Sequence, residues 1–182
     1  RNSPGPGDMS SVRSVFSLFL TTAFLLPGHG IHMTFLPPLA SDRGLSQTVI
    51  GSSGSAYFAG FISGAMVTPH IIAKVGHIRS FTTLMAVFLC CFQILPMTDS
   101  SVMWILVRFL LGAVMCGAYT VVESWLSDQA DASTHGRVLG IYTVVVLGAM
   151  ALGQGLLSMT YGEAAQVFAL ISILIGCAII PV

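Results

Sequence analysis

Charge is scarce in this chain: seven Lys and Arg stand against seven Asp and Glu, 8% of 182 residues, with no formal net charge. Soluble domains carry about 25% charged residues, so this chain has too little polar surface to cover itself in water. The even balance excludes the basic face that binding to nucleic acid requires, and no nucleic-acid partner is expected. Cysteine is scarce as well. Cys90, Cys91, Cys116 and Cys177 all fall in apolar stretches, without ligand-like spacing to His or acidic residues. They read as core packing, so no disulfide, metal site or cofactor is expected. No cleavable signal peptide is expected either, because the first apolar run is too long and lacks a small-residue cleavage site.

In place of charge there are long apolar runs. Hydrophobic residues make up 54% of the chain, and its mean hydropathy is +0.88. Segments 15–38, 48–75, 80–96, 102–127, 138–161 and 164–182 each approach or exceed the roughly 20 apolar residues that a spanning helix needs. The expected fold class is therefore an all-α membrane protein in which residues 14–182 form a six-helix transmembrane bundle. Residues 1–13, rich in Pro, Gly and Ser, are expected to be a disordered cytoplasmic tail. With Arg at position 1 and the text stopping just after the sixth run, the chain is expected to be about half of a larger protein.

Lys and Arg in short loops set orientation. Arg1 and Arg13 precede the first span, Lys74 and Arg79 lie between the second and third, and Arg137 lies between the fourth and fifth. If the spans alternate, all of these share one side, leaving Arg43 alone on the other, so the N-terminus is expected to be cytoplasmic. Lys74, Gly76 and Arg79 then face the inner end of the fourth span, where Glu123 lies. Lys74, Arg79 and Glu123 are expected to form an ionic cluster that holds a gate on the cytoplasmic side, with Gly76 as a further gate residue.

Arg108 is the one base inside a span. With about 100° per residue, Gly112, Tyr119 and Glu123 fall within about 60° of it, so one stripe carries a base, a phenol and an acid. A charge at membrane depth is costly and is turned toward the bundle interior or a watery cavity, where it often marks a substrate or proton pathway. Arg108 and Glu123 are about 22 Å apart along the axis and do not pair with each other. In the first span, Pro27 and Gly28 are expected to break the helix, and His29 and His32 follow one turn apart; histidine titrates close to neutral pH and suits a proton-coupled step. His70 and His77 read as interfacial. Small residues mark expected helix contacts: Gly60 and Gly64 on the second span, Gly112 on the fourth, and Gly140, Gly148, Ala151 and Gly155 along one face of the fifth.

These features resemble the N-terminal half of a major facilitator superfamily transporter. Arg108-Phe-Leu-Leu-Gly112 fits the superfamily's fourth-span Arg-x-x-x-Gly. Its loop signature Gly-x-x-x-Asp-Arg-x-Gly-Arg-Arg is matched in part: Lys74 and Gly76 fit, while Pro69, Ala73 and His77-Ile78 depart from it. The strings Ala56-Tyr57-Phe58-Ala59-Gly60, Val75 to Arg79, Val122 to Leu126, Gly136-Arg137, Tyr142 and Gly153-Gln154 are similar to the YcaD-like bacterial transporters, which share the altered loop. Gly153-Gln154 stands where the superfamily's antiporters carry Gly-Pro, which weighs against a drug/proton antiporter.

The resemblance implies a secondary transporter for a small solute in a bacterial inner membrane, moving it by alternating access with protons as a coupling partner, together with a further six-helix half. It implies that the first and fourth helices line a central cavity and that the pathway includes Arg108, Tyr119, His29, His32 and Gln154. Two other readings are a channel-like protein and an intramembrane serine protease of the rhomboid type. The second rests on Gly51-Ser52-Ser53-Gly54, which here opens the second span, and no His lies in the sixth span to partner it. No catalytic residue is assigned.

Overall fold

The computed structural model describes the backbone of residues 6–129, 135–159 and 163–182, and side chains within these from residue 16 onward except at 129, 135, 138 and 159. Six α-helices follow one another: α1 (Pro6–Asp42), α2 (Gln47–Val75), α3 (His77–Ile94), α4 (Ser101–Gln129), α5 (His135–Met159) and α6 (Ala164–Cys177). Helix is the solution that leaves no backbone polar group unpaired in lipid. The turns between helices use few residues. Ser46 caps α2 by accepting the Val49 N–H, and Gly76 alone separates α2 from α3 at φ 83°, a left-handed conformation that favours glycine.

Among the described residues, four helices are long and apolar enough to cross a membrane, over Gln47–Val75, His77–Met97, Ser101–Asp128 and Leu139–Ser158, and α6 is a shorter apolar helix. Of the tail expected to be disordered over residues 1–13, residues 1–5 lie outside the described residues, while residues 6–13 continue α1; Pro6 fits a helix's first turn, where no N–H is needed. Parts of the expected loops around 130–134 and 160–162 likewise lie outside the described residues.

The expected break at Pro27-Gly28 does not occur. α1 runs continuously through it, and the segment serves as a packing junction: Gly28 lies against Ile175 and Leu174 of α6, and the Pro27 carbonyl occupies the space that a side chain at Gly153 would fill. Neighbouring helices thus support a proline that would kink an isolated helix.

α4 and α1 are the two hubs. α2 and α3 pack on α4, while α5 and α6 pack on α1. Exchanging α1 with α4, α2 with α5 and α3 with α6 maps this pattern onto itself. Close approach is enforced by glycine. A methyl group at Gly60, Gly64 or Gly112 would overlap the backbone of Phe109, Ala113 or Tyr57 respectively, so α2 and α4 touch along their main chains. On the other hub the corresponding glycine is Gly153. The expected α5 face of Gly140, Gly148 and Gly155 meets nothing within 4 Å, because α5 turns Tyr142, Ala149 and Gly153 inward and points the small-residue face away. α3 and α6 bury one edge each, where the Phe92 and Phe168 rings meet at a tilt with their centroids 4.6 Å apart.

One end is tied by Arg43, whose guanidinium donates to Asp99 at 3.0 Å and to the Pro96 carbonyl at 2.9 Å. The Asp99 side chain is 80% exposed, and exposed pairs contribute about 0 to 1 kcal/mol. Asp99→Asn is therefore expected to lower the thermal midpoint in detergent by no more than about 4 °C, measured with a thiol-reactive or intrinsic-fluorescence melt; a larger fall would assign the clamp a structural weight that this geometry does not support.

Candidate functional site

The buried polar groups of α1, α2 and α4 converge on one cluster. Gly112 lets the backbone of Tyr57 approach α4, and this sets the Tyr57 ring beneath the Arg108 guanidinium, 4.5 Å from its centroid. α1 crosses α4 with His32 beside Arg108 and His29 beside Tyr119. His29 is held from both sides, its Nδ1 2.5 Å from the Tyr119 hydroxyl and its Nε2 2.9 Å from the Tyr57 hydroxyl. A neutral imidazole donates from one nitrogen and accepts at the other, so one tyrosine accepts from His29 while the other donates to it.

Arg108 is 4% exposed, and its Nη1 lies 3.4 Å from His32 Nε2. A guanidinium has donors only, so Nε2 is the acceptor and the His32 proton sits on Nδ1. That N–H is buried without a hydrogen-bond partner among the described residues, and the His32 ring meets those of Phe88 and Phe92 in T-shaped contacts. Among the described residues no carboxylate pairs with Arg108. Its charge is met by the negative face of the Tyr57 ring and by the His32 lone pair.

Further along the α4 stripe, Glu123 accepts a hydrogen bond from Tyr142 of α5. Between them and Tyr119 lies a cavity of about 450 Å³. Tyr119 thus belongs both to the cavity wall and, through its hydroxyl, to the buried cluster.

Four of the five expected pathway residues, Arg108, Tyr119, His29 and His32, come together. Gln154 does not. It is exposed on α5, one residue beyond the Gly153 that meets α1. The expected gate is also corrected, because Lys74 and Arg79 are exposed and neither pairs with Glu123 among the described residues. Glu123 faces α5, whereas the next face of α4, with Ser124 and Asp128, meets the α2–α3 turn. There His77 does the joining: its Nε2 lies 3.2 Å from the Ser124 hydroxyl and 3.7 Å from an Asp128 carboxylate oxygen, and its ring stacks on Trp125 at 5.8 Å. Gly76, expected as a gate residue, is the single residue of that turn. Sequence reasoning missed Tyr57, Tyr142 and the linking role of His77. The available signal was that both tyrosines place a hydroxyl inside an apolar span, where it needs a partner.

The profile described as Major Facilitator Superfamily matches residues 18–182 of the chain. Proteins named uncharacterized MFS-type transporter YcaD from Salmonella typhimurium (strain LT2), Salmonella typhi and Salmonella arizonae are each 28% identical to it over 148 residues. The match covers 81% of this chain and 39% of each of those proteins, so the chain spans well under half of their length. No solved structure matches it.

Proposed function

Because the chain belongs to the Major Facilitator Superfamily and is an integral membrane protein, we propose that its six helices all span the membrane as one half of a twelve-helix secondary transporter. That transporter moves a small solute by alternating access, coupled to protons, in a bacterial inner membrane with the N-terminus in the cytoplasm. The observation that carries this reading is the buried Arg108 cluster, a cation with no carboxylate partner among the described residues, held by His32 and Tyr57 and linked through Tyr57 to His29 and Tyr119. Such a group is expensive in lipid and is characteristic of ion and substrate pathways. The exchange relation between the α1 and α4 hubs supports rocking of packed repeats about a midplane site. The Tyr57–His29–Tyr119 chain supports proton movement, since each hydroxyl and each ring nitrogen can pass a proton to its neighbour. The protease reading gains no support from the serine string, whose Ser53 hydroxyl is spent on the Ile50 carbonyl of its own helix at 2.8 Å.

Orientation and function are tested separately in the full-length protein. Single cysteines at Ser41 and Arg79, in an otherwise cysteine-free background, are expected to react with a membrane-impermeant maleimide from opposite sides, Ser41→Cys in intact cells and Arg79→Cys only in inverted vesicles. Labelling of both from one side overturns the topology. In pyranine-loaded proteoliposomes, at least one member of a panel of amino acids, organic acids and organic cations is expected to drive protein-dependent proton movement that saturates with concentration. Non-saturating flux would mark a passive pore.

A further inference from the structure

The cavity between α4 and α5 carries its own chemistry. Its aromatic walls are Phe61, Tyr119 and Tyr142, Met150 closes one side, and Glu123 is its charged lining residue. The size, about 450 Å³, falls within the roughly 300 to 1,000 Å³ of small-molecule sites. Arg108 is not part of its lining. The guanidinium is buried against Tyr57 and His32, and along α4 it stands about 22 Å from Glu123. The cavity therefore presents one negative charge beside three aromatic rings, with no cation among its described lining residues. An anion entering would meet the carboxylate and no opposing charge. A cation would gain the carboxylate and the negative faces of the rings together.

We propose that this cavity binds a small organic cation, with Glu123 as counter-charge and Phe61, Tyr119 and Tyr142 as the aromatic wall. The proposal rests on the transporter reading and sharpens it to a solute class. Tyr142 and Glu123, both lining the cavity, are joined by a hydrogen bond, and an occupant touching Tyr119 lies against the residue whose hydroxyl reaches His29.

The test is equilibrium binding to the full-length protein in detergent, using radiolabelled tetraphenylphosphonium. Phenyltrimethylammonium serves as competitor, and tetraphenylborate as an anion of the same shape as the label. Saturable binding is expected, displaced by phenyltrimethylammonium and not by tetraphenylborate. Glu123→Gln is expected to weaken it at least about tenfold, whereas Glu123→Asp keeps most of it. Thr143→Trp, which fills the cavity from α5 and leaves the carboxylate in place, is expected to abolish binding, giving a second reading should Glu123→Gln fail to fold. The proposal is overturned by a lack of saturable binding of either cation, by equal displacement with tetraphenylborate, or by unchanged binding in either the Glu123→Gln or the Thr143→Trp variant. Because binding is read without translocation, the two levels separate. A cation that binds but shows no counterflow in vesicles overturns the transport reading and leaves the site standing; carriage of a non-cationic solute without cation binding overturns the site alone.

Discussion

Arg108→Ala is expected to reduce solute transport by the full-length protein to background, at least about tenfold or 1.4 kcal/mol in barrier terms, while the protein still folds. The two halves of this expectation have different physical sources. Folding survives because, among the described residues, Arg108 has no acid that would be left behind as an unpaired buried charge, the circumstance that makes breaking a buried pair so destabilising. What remains is a tyrosine ring and a neutral imidazole, both tolerable in an apolar interior. Transport fails, on the role proposed for Arg108, because the fixed charge at the centre of the His29, His32, Tyr57 and Tyr119 cluster is gone. Arg108→Lys is expected to restore little. An ammonium on a flexible stem lacks the planar guanidinium that lies over the Tyr57 ring at 4.5 Å while donating sideways to His32. Monodisperse elution and a thermal midpoint close to that of the parent establish the fold, and initial uptake rates in proteoliposomes establish the function. Near-normal transport in the alanine variant would reduce Arg108 to a packing residue.

The glycines give the largest expected effect on stability, and it is position-specific. Gly112→Ala places a methyl on the Tyr57 carbonyl and Gly60→Ala places one on that of Phe109. Neither obstacle is a side chain that can swing aside, so α2 and α4 must separate along their length, and a cost of about 3 kcal/mol or more is expected for each. Gly148→Ala and Gly155→Ala are chemically the same change on α5, but both positions face open space. There the better helix propensity of alanine is expected to leave stability unchanged or raise it by about 0.5 to 1 kcal/mol. Thermal melts of the four variants in one detergent decide this. Equal destabilisation by both pairs would contradict the α2–α4 contact. A loss of transport in the α5 variants without loss of stability would show that their open face is used by the working transporter.

Helix existence was legible residue by residue, because apolar length is a local property and lipid permits few alternatives. The stripe of Arg108, Gly112, Tyr119 and Glu123 was also legible, since 3.6 residues per turn determine which side chains share a face of one helix. A helical wheel does not say which neighbour a face will meet. That is why Gly140, Gly148 and Gly155 were read as a contact like Gly60 and Gly64 although the structure leaves them open, and why Glu123 was assigned to Lys74 and Arg79 although it faces Tyr142. The Pro27-Gly28 break failed for the same reason: whether a proline kinks a helix depends on whether a partner such as Gly153 stands close enough to support it.

The sequence by itself therefore determined the solvent, the helices, and the presence of a charge that could not face lipid. The tertiary structure alone decided what that charge touches. Tyr57 reaches Arg108 only because Gly112, on another helix, lets two backbones meet, and a contact between side chains 51 positions apart in the chain depends on the packing of whole helices, which no local pattern records.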